Sequence, residues 1–112
     1  MAAGMPRYQT DLRERARAFA IEAYRLSKDV RARYPALRNY ADQLCDAAGS
    51  IGANLSESEG LNSPRELAAR YSIALKESKE ARFWLEVLTG CEPALESKTS
   101  PLLAECKEFI GL

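Results

Sequence analysis

The chain has no histidine, only six glycines and only three cysteines among its 112 residues, and each scarcity excludes something. Without histidine the commonest general base is missing, and with it the usual activator of a nucleophile and the Glu-x-x-His ligand pairs of carboxylate-bridged di-iron bundles. Cys45, Cys91 and Cys106 are odd in number, widely spaced and form no Cys-x-x-Cys pair. They read as reduced thiols of a cytoplasmic protein, with Cys45 and Cys106 as half-buried small apolar residues. No glycine loop shaped to cradle phosphate is visible, and Glu57, Glu59, Glu77 and Glu80 lack the spacing of a known cation site. The expectation is a protein that is not an enzyme and that holds neither metal nor cofactor. No apolar run approaches the ~18 residues of a membrane-spanning helix. The N-terminal stretch MAAGMPRYQTDLRER has no apolar run ahead of its charges, so neither a signal peptide nor an anchor is expected.

Net charge is also missing: sixteen basic residues meet sixteen acidic ones, which removes the argument for nucleic-acid or anionic-membrane binding from a strongly basic whole. The distribution is uneven. Residues 1–38 carry nine Arg and Lys against four Asp and Glu. A basic first helix bearing Arg13, Arg17, Arg25, Lys28 and Arg31 can meet phosphate, or it can be a solvated face.

What the chain does have is helical rhythm, over a length that suits one domain spanning residues 1–112. Leu12, Ala16, Phe19, Ala23, Leu26 and Val30 recur at steps of four and three, predicting a helix over about 11–33 that Tyr34-Pro35 closes. Leu37, Tyr40 or Ala41, Leu44, Ala48, Ile51 and Leu55 predict a second over about 36–58, stopped by Gly60. Ser63-Pro64-Arg65-Glu66 has a cap, a proline at the first helical position and a glutamate three residues after the cap. The third helix runs from there, over about 64–89, along Leu67, Tyr71, Ala74, Ser78, Ala81, Leu85 and Leu88, and ends at Gly90. Ser100-Pro101 repeats the start signal, so the fourth is expected at about 101–110, with Leu102, Leu103, Cys106, Phe109 and Ile110 apolar. Four such seams with short links predict an all-α, up-and-down antiparallel four-helix bundle.

The third helix carries more apolar surface than one seam uses. Ala69, Ile73, Trp84 and Val87 fall on a second face roughly 125° from the first. Either a diagonal helix or another subunit can cover it; a homo-oligomer interface anchored by Trp84 is the reading taken, and the alternative is that Trp84 only caps the core. Glu80 lies within that face and needs a partner. Asn54, on the preceding helix, is expected to meet it and help set the register. Around Asn54 runs SIGANLSESEG, whose Gly52 would allow close backbone approach and whose Gly60 would give a left-handed stop.

The run SIGANLSESEGLNSPREL, followed by YSIALKESKEARFWLEVL, resembles the four-helix-bundle proteins of the 23S ribosomal RNA intervening-sequence family. The matching residues are Ser50, Ile51, Asn54, Leu55, Glu57, Gly60, Ser63, Ile73, Ala74 and Glu80, and the specific part of the resemblance covers residues 50–88, about a third of the chain. The resemblance implies an up-and-down bundle that assembles, as relatives do, into a ring of five. It also brings in members encoded within ribosomal RNA insertions and related accessory proteins of diversity-generating retroelements, which suggest contact with nucleic acid or with a ribonucleoprotein. Two features depart from the pattern: Leu61 stands where a basic residue commonly follows the motif glycine, and the fourth helix is short. The function expected is a self-assembling scaffold or adaptor, probed against an RNA-binding alternative that uses the basic side of helix one.

Overall fold

A proline disfavours the helical region in the residue before it, and this chain uses that twice with the same tripeptide. Tyr34 and Glu92 are non-helical, each followed by a 3-10 turn of Pro-Ala-Leu, Pro35–Leu37 and Pro93–Leu95. These turns join α1 (Gln9–Arg33) to α2 (Arg38–Glu57), and α3 (Pro64–Cys91) to α4 (Glu96–Ile110). Between α2 and α3 the chain reverses through a loop that contains Gly60 at φ 83°, the left-handed conformation expected of it. Ser63 then caps α3 by accepting a hydrogen bond from the Glu66 N–H at 3.3 Å. The computed structural model describes residues 9–111; the N-terminal residues 1–8 set apart from any signal peptide, and Leu112, lie outside the described residues.

The four helices pack as an antiparallel bundle in which α1 neighbours α2, α2 neighbours α3, α3 neighbours α4, and α4 returns to α1. Its core is built from the expected seams. Ala16, Phe19, Ala23, Leu26 and Val30 of α1 are buried against Ala41, Leu44, Ala48, Ile51 and Leu55 of α2 and against Ala74, Ala81, Leu85 and Leu88 of α3. At position 40 or 41 it is Ala41 that turns inward and Tyr40 that stays outside. Leu102, Cys106 and Phe109 complete the core from α4, with Phe109 edge-on to Phe19 at 5.5 Å. The buried hydroxyls are satisfied: Ser27 donates to the Ala41 carbonyl at 3.0 Å and Ser78 to the Ala74 carbonyl at 2.8 Å.

Two boundaries differ from the sequence reading. α4 begins at Glu96, and Pro101 lies inside it. The extra turn is fixed by burial of Leu95 and Thr99 and by the 2.7 Å hydrogen bond between the Thr89 and Thr99 hydroxyls. α3 passes through Gly90 and stops at Cys91, because Pro93 and not the glycine breaks it. α4 still ends early, at Ile110, and an apolar groove of about 490 Å³ opens where it stops, between Leu12, Leu55, Tyr71, Leu75, Phe109 and Ile110.

Candidate assembly face on α2 and α3

The end of α2 is tied to the start of α3 by one arginine. Asn54, almost fully buried, donates from Nδ2 to the Ser50 carbonyl at 2.8 Å and to the Ser50 hydroxyl at 3.2 Å. Its Oδ1 accepts from Arg70 Nη1 at 3.1 Å, and the same guanidinium pairs with Glu57 at 2.8 Å. Ser50, Asn54 and Glu57 therefore act together through Arg70, which the sequence reading did not single out. The expected meeting of Asn54 with Glu80 does not occur. The Asn54–Arg70 and Tyr40–Trp84 pairs are both symmetric about residue 62, so Glu80 stands level with Leu44, about 15 Å along the helix from Asn54 at 1.5 Å per residue. Glu80 instead accepts from the Trp84 indole N–H at 3.4 Å, one turn on along its own helix.

Trp84 is the centre of an aromatic cluster on the outside of the α2–α3 pair. The Tyr40 ring stacks on it at 5.4 Å, and the Phe83 ring meets it edge-on at 4.8 Å. Phe83 keeps 52% of its surface exposed, Tyr40 39% and Ile73 39%. Of the four residues expected at an interface, Ala69 and Ile73 are exposed in the single chain, and Trp84 and Val87 are half-buried. Tyr40 and Phe83 join them. Tyr40 was legible only as an ambiguity in the α2 seam, and Phe83 only as the neighbour of Trp84.

The basic side of α1 is largely neutralised from within. Arg13 pairs with Glu59 at 3.5 Å, Arg25 with Glu22 at 2.7 Å and Arg31 with Asp42 at 3.0 Å. Arg17 and Lys28 are exposed. Beside Arg17 a shallow groove of about 450 Å³ runs between α1 and α2 over Ala20, Gly49, Gly52 and Ala53. A methyl at Gly52 would touch the Ala16 carbonyl oxygen at 3.6 Å, the close backbone approach expected there.

The remaining titratable chemistry is structural. On α1, Asp29 is held below the ordinary carboxylate range, first by the hydrogen bond from Lys98 at 2.9 Å and then by the charges of Lys98 and Arg33. Burial pushes the Cys106 thiol up to about 12, so it stays protonated and unreactive. Among the described residues no three His, Cys, Asp or Glu side chains are grouped to hold a metal ion, and no helix is long and apolar enough to cross a membrane.

Comparison with known proteins agrees with this architecture. The fold is similar to the crystal structure of a protein of unknown function from the S23 ribosomal protein family of Bacteroides thetaiotaomicron VPI-5482, at a TM-score of 0.80 and 25% identity, over 88% of this chain and 91% of that one. No curated protein matches. Residues 9–112 match the profile described as 23S rRNA-intervening sequence protein. A match across nearly the whole bundle, joined to the Ser50–Gly60 motif and the Arg70 tie that it positions, places this chain in the 23S rRNA-intervening sequence protein family.

Proposed function

We propose that this protein is a non-enzymatic, self-assembling scaffold, a homopentameric ring whose working element is the outer face of α3 and which serves as an adaptor in the cytoplasm. The observation that carries the reading is the aromatic cluster of Tyr40, Phe83 and Trp84, with exposed Ile73 about three turns away on the same side of α3, on a flank that no helix of the same chain covers. Large aromatic side chains in one exposed patch mark protein–protein surfaces, and a tryptophan ringed by other apolar groups is the usual energetic anchor of one. The number five comes from the family resemblance. Contact with RNA through α1 is the less supported reading, because carboxylates already neutralise Arg13, Arg25 and Arg31.

Light scattering tests the proposal. A pentamer of the 12.4 kDa chain has a mass of about 62 kDa, five times that of the chain, and Trp84→Ala should shift it to the single-chain mass with the helical circular dichroism kept. A wild-type monomer at tens of micromolar would sink the proposal. For the rival, RNA binding that weakens steeply between two salt concentrations is the expected signature, since phosphate contacts release counterions.

A further inference from the structure

α1 has an outer row as regular as its inner one. Arg17, Ile21, Tyr24 and Lys28 follow steps of four, three and four, on the side turned away from the buried seam, so they line up along the helix. All four are exposed, Ile21 at 45% and Tyr24 at 53%. Among the described residues neither Arg17 nor Lys28 has an ion-pair partner. On α3 the row Ile73, Glu77, Glu80, Trp84 and Val87 has the same spacing, and its charges have the opposite sign.

Contacts inside the chain give the relative heights of the two rows. Ser27 on the Ala41 carbonyl and Cys45 against the Ala23 carbonyl fix α1 against α2. Tyr40 on Trp84 and Arg70 on Asn54 fix α2 against α3. Through α2, Tyr24 therefore stands level with Glu80 and Lys28 level with Trp84, and both helices run in the same direction.

We infer that the outer row of α1 is the counterface that receives the outer row of α3 from a second copy of this chain, the two helices parallel, with Tyr24 against Glu80 and Lys28 against Trp84. The inference rests on the self-assembly reading and adds its missing half. A two-fold contact of the α3 face with itself brings the same patch together, setting Glu77 and Glu80 against their own copies, a costly like-charge juxtaposition. Against α1, Lys28 lies over the indole, a cation–π arrangement, and within one turn of Glu80, while Arg17 lies within one turn of Glu77. The groove over Ala20, Gly49 and Gly52 is level with Ile73 and gives its side chain room.

The directions of the two faces agree with closure. The Arg31–Asp42 pair sets one flank of α1 against α2, and the Tyr40–Trp84 stack does the same for α3. Both rows thus lean toward the α2 side, roughly 100° apart around the bundle by helical geometry. Unlike faces on adjoining flanks close a ring, whereas faces on opposite sides propagate a filament. Rotation about an axis along the bundle also keeps every copy at one height, as the level match of the two rows requires.

Charge exchange tests the pairing. Lys28→Glu should raise the protein concentration at half-assembly by about tenfold or more, since like charges then meet across the contact, and Lys28→Glu with Glu80→Lys should restore most of the loss. A mixture of Tyr24→Cys and Glu80→Cys copies, both carrying Cys91→Ser, should yield a mixed cross-linked dimer with a short bis-maleimide. If Trp84→Ala disperses the assembly while Lys28→Glu leaves its mass unchanged, the counterface is wrong and the scaffold reading stands. If Lys28→Glu and Arg17→Glu abolish RNA binding without altering the mass, the row serves nucleic acid and the inference fails. If the wild-type chain is monomeric, both readings fall.

Discussion

Cys91 and Cys106 sit fifteen positions apart in sequence and at opposite extremes of accessibility, one exposed beside a turn and one on α4 sealed in the core. Thiolate character and access together set a thiol's reactivity. A maleimide reagent at neutral pH should therefore label Cys91 within minutes, leave Cys106 unmodified in the folded protein, and reach Cys106 once denaturant opens the bundle; mass spectrometry of quenched samples reads this directly. The same scale shows where sequence reasoning failed. The residue type at Asn54 announced a polar contact between helices, but the short loop centred on residue 62 sets Asn54 level with position 70, nearly three turns from Glu80. Only the observed register brings Arg70 to it. Glu57, one of the motif residues, pairs with the same guanidinium.

Helices one to three were readable because steps of three and four put Leu, Ala, Ile and Phe on one stripe, and those stripes are the buried ones. The start of α4 was not. Ser100-Pro101 carries the same local signal as Ser63-Pro64, but the first pair sits within a helix that the burial of Leu95 and Thr99 has already begun, a tertiary fact with no local trace. Gly90 misled in the same way, and the contrast with Gly60 makes a prediction at this scale. Gly90 lies in the last turn of α3 with open space around it, so Gly90→Ala should stabilise the chain by about 0.5–1 kcal/mol. Gly60, at φ 83°, should cost about 1–2 kcal/mol when replaced by alanine. Urea unfolding of both variants, compared at unchanged slope, checks the pair of signs.

At the scale of the whole molecule the bundle is uneven from end to end. Near the Pro-Ala-Leu turns all four helices are present and the core is closed by Val30, Leu88 and Leu95. Toward the Gly60 loop α4 has ended, and Leu75 and Tyr71 border an open groove. Hydrogen exchange should follow that gradient, because protection rises with buried apolar contact: amides of residues 67–72 should exchange well before those of residues 81–88. Equal protection along α3 would mean that something outside the single chain covers the groove.

The two identical tripeptides have a consequence of their own. Both lie at one tip of the molecule, with Cys91 beside them, while the other tip carries the Gly60 loop, where Glu57 pairs with Arg70 and Glu59 with Arg13. Copies arranged around a common axis along the bundle would display every proline turn on one rim and every Gly60 loop on the other. Such an annulus has a front and a back, and a partner binding one rim would be oriented without any further recognition element.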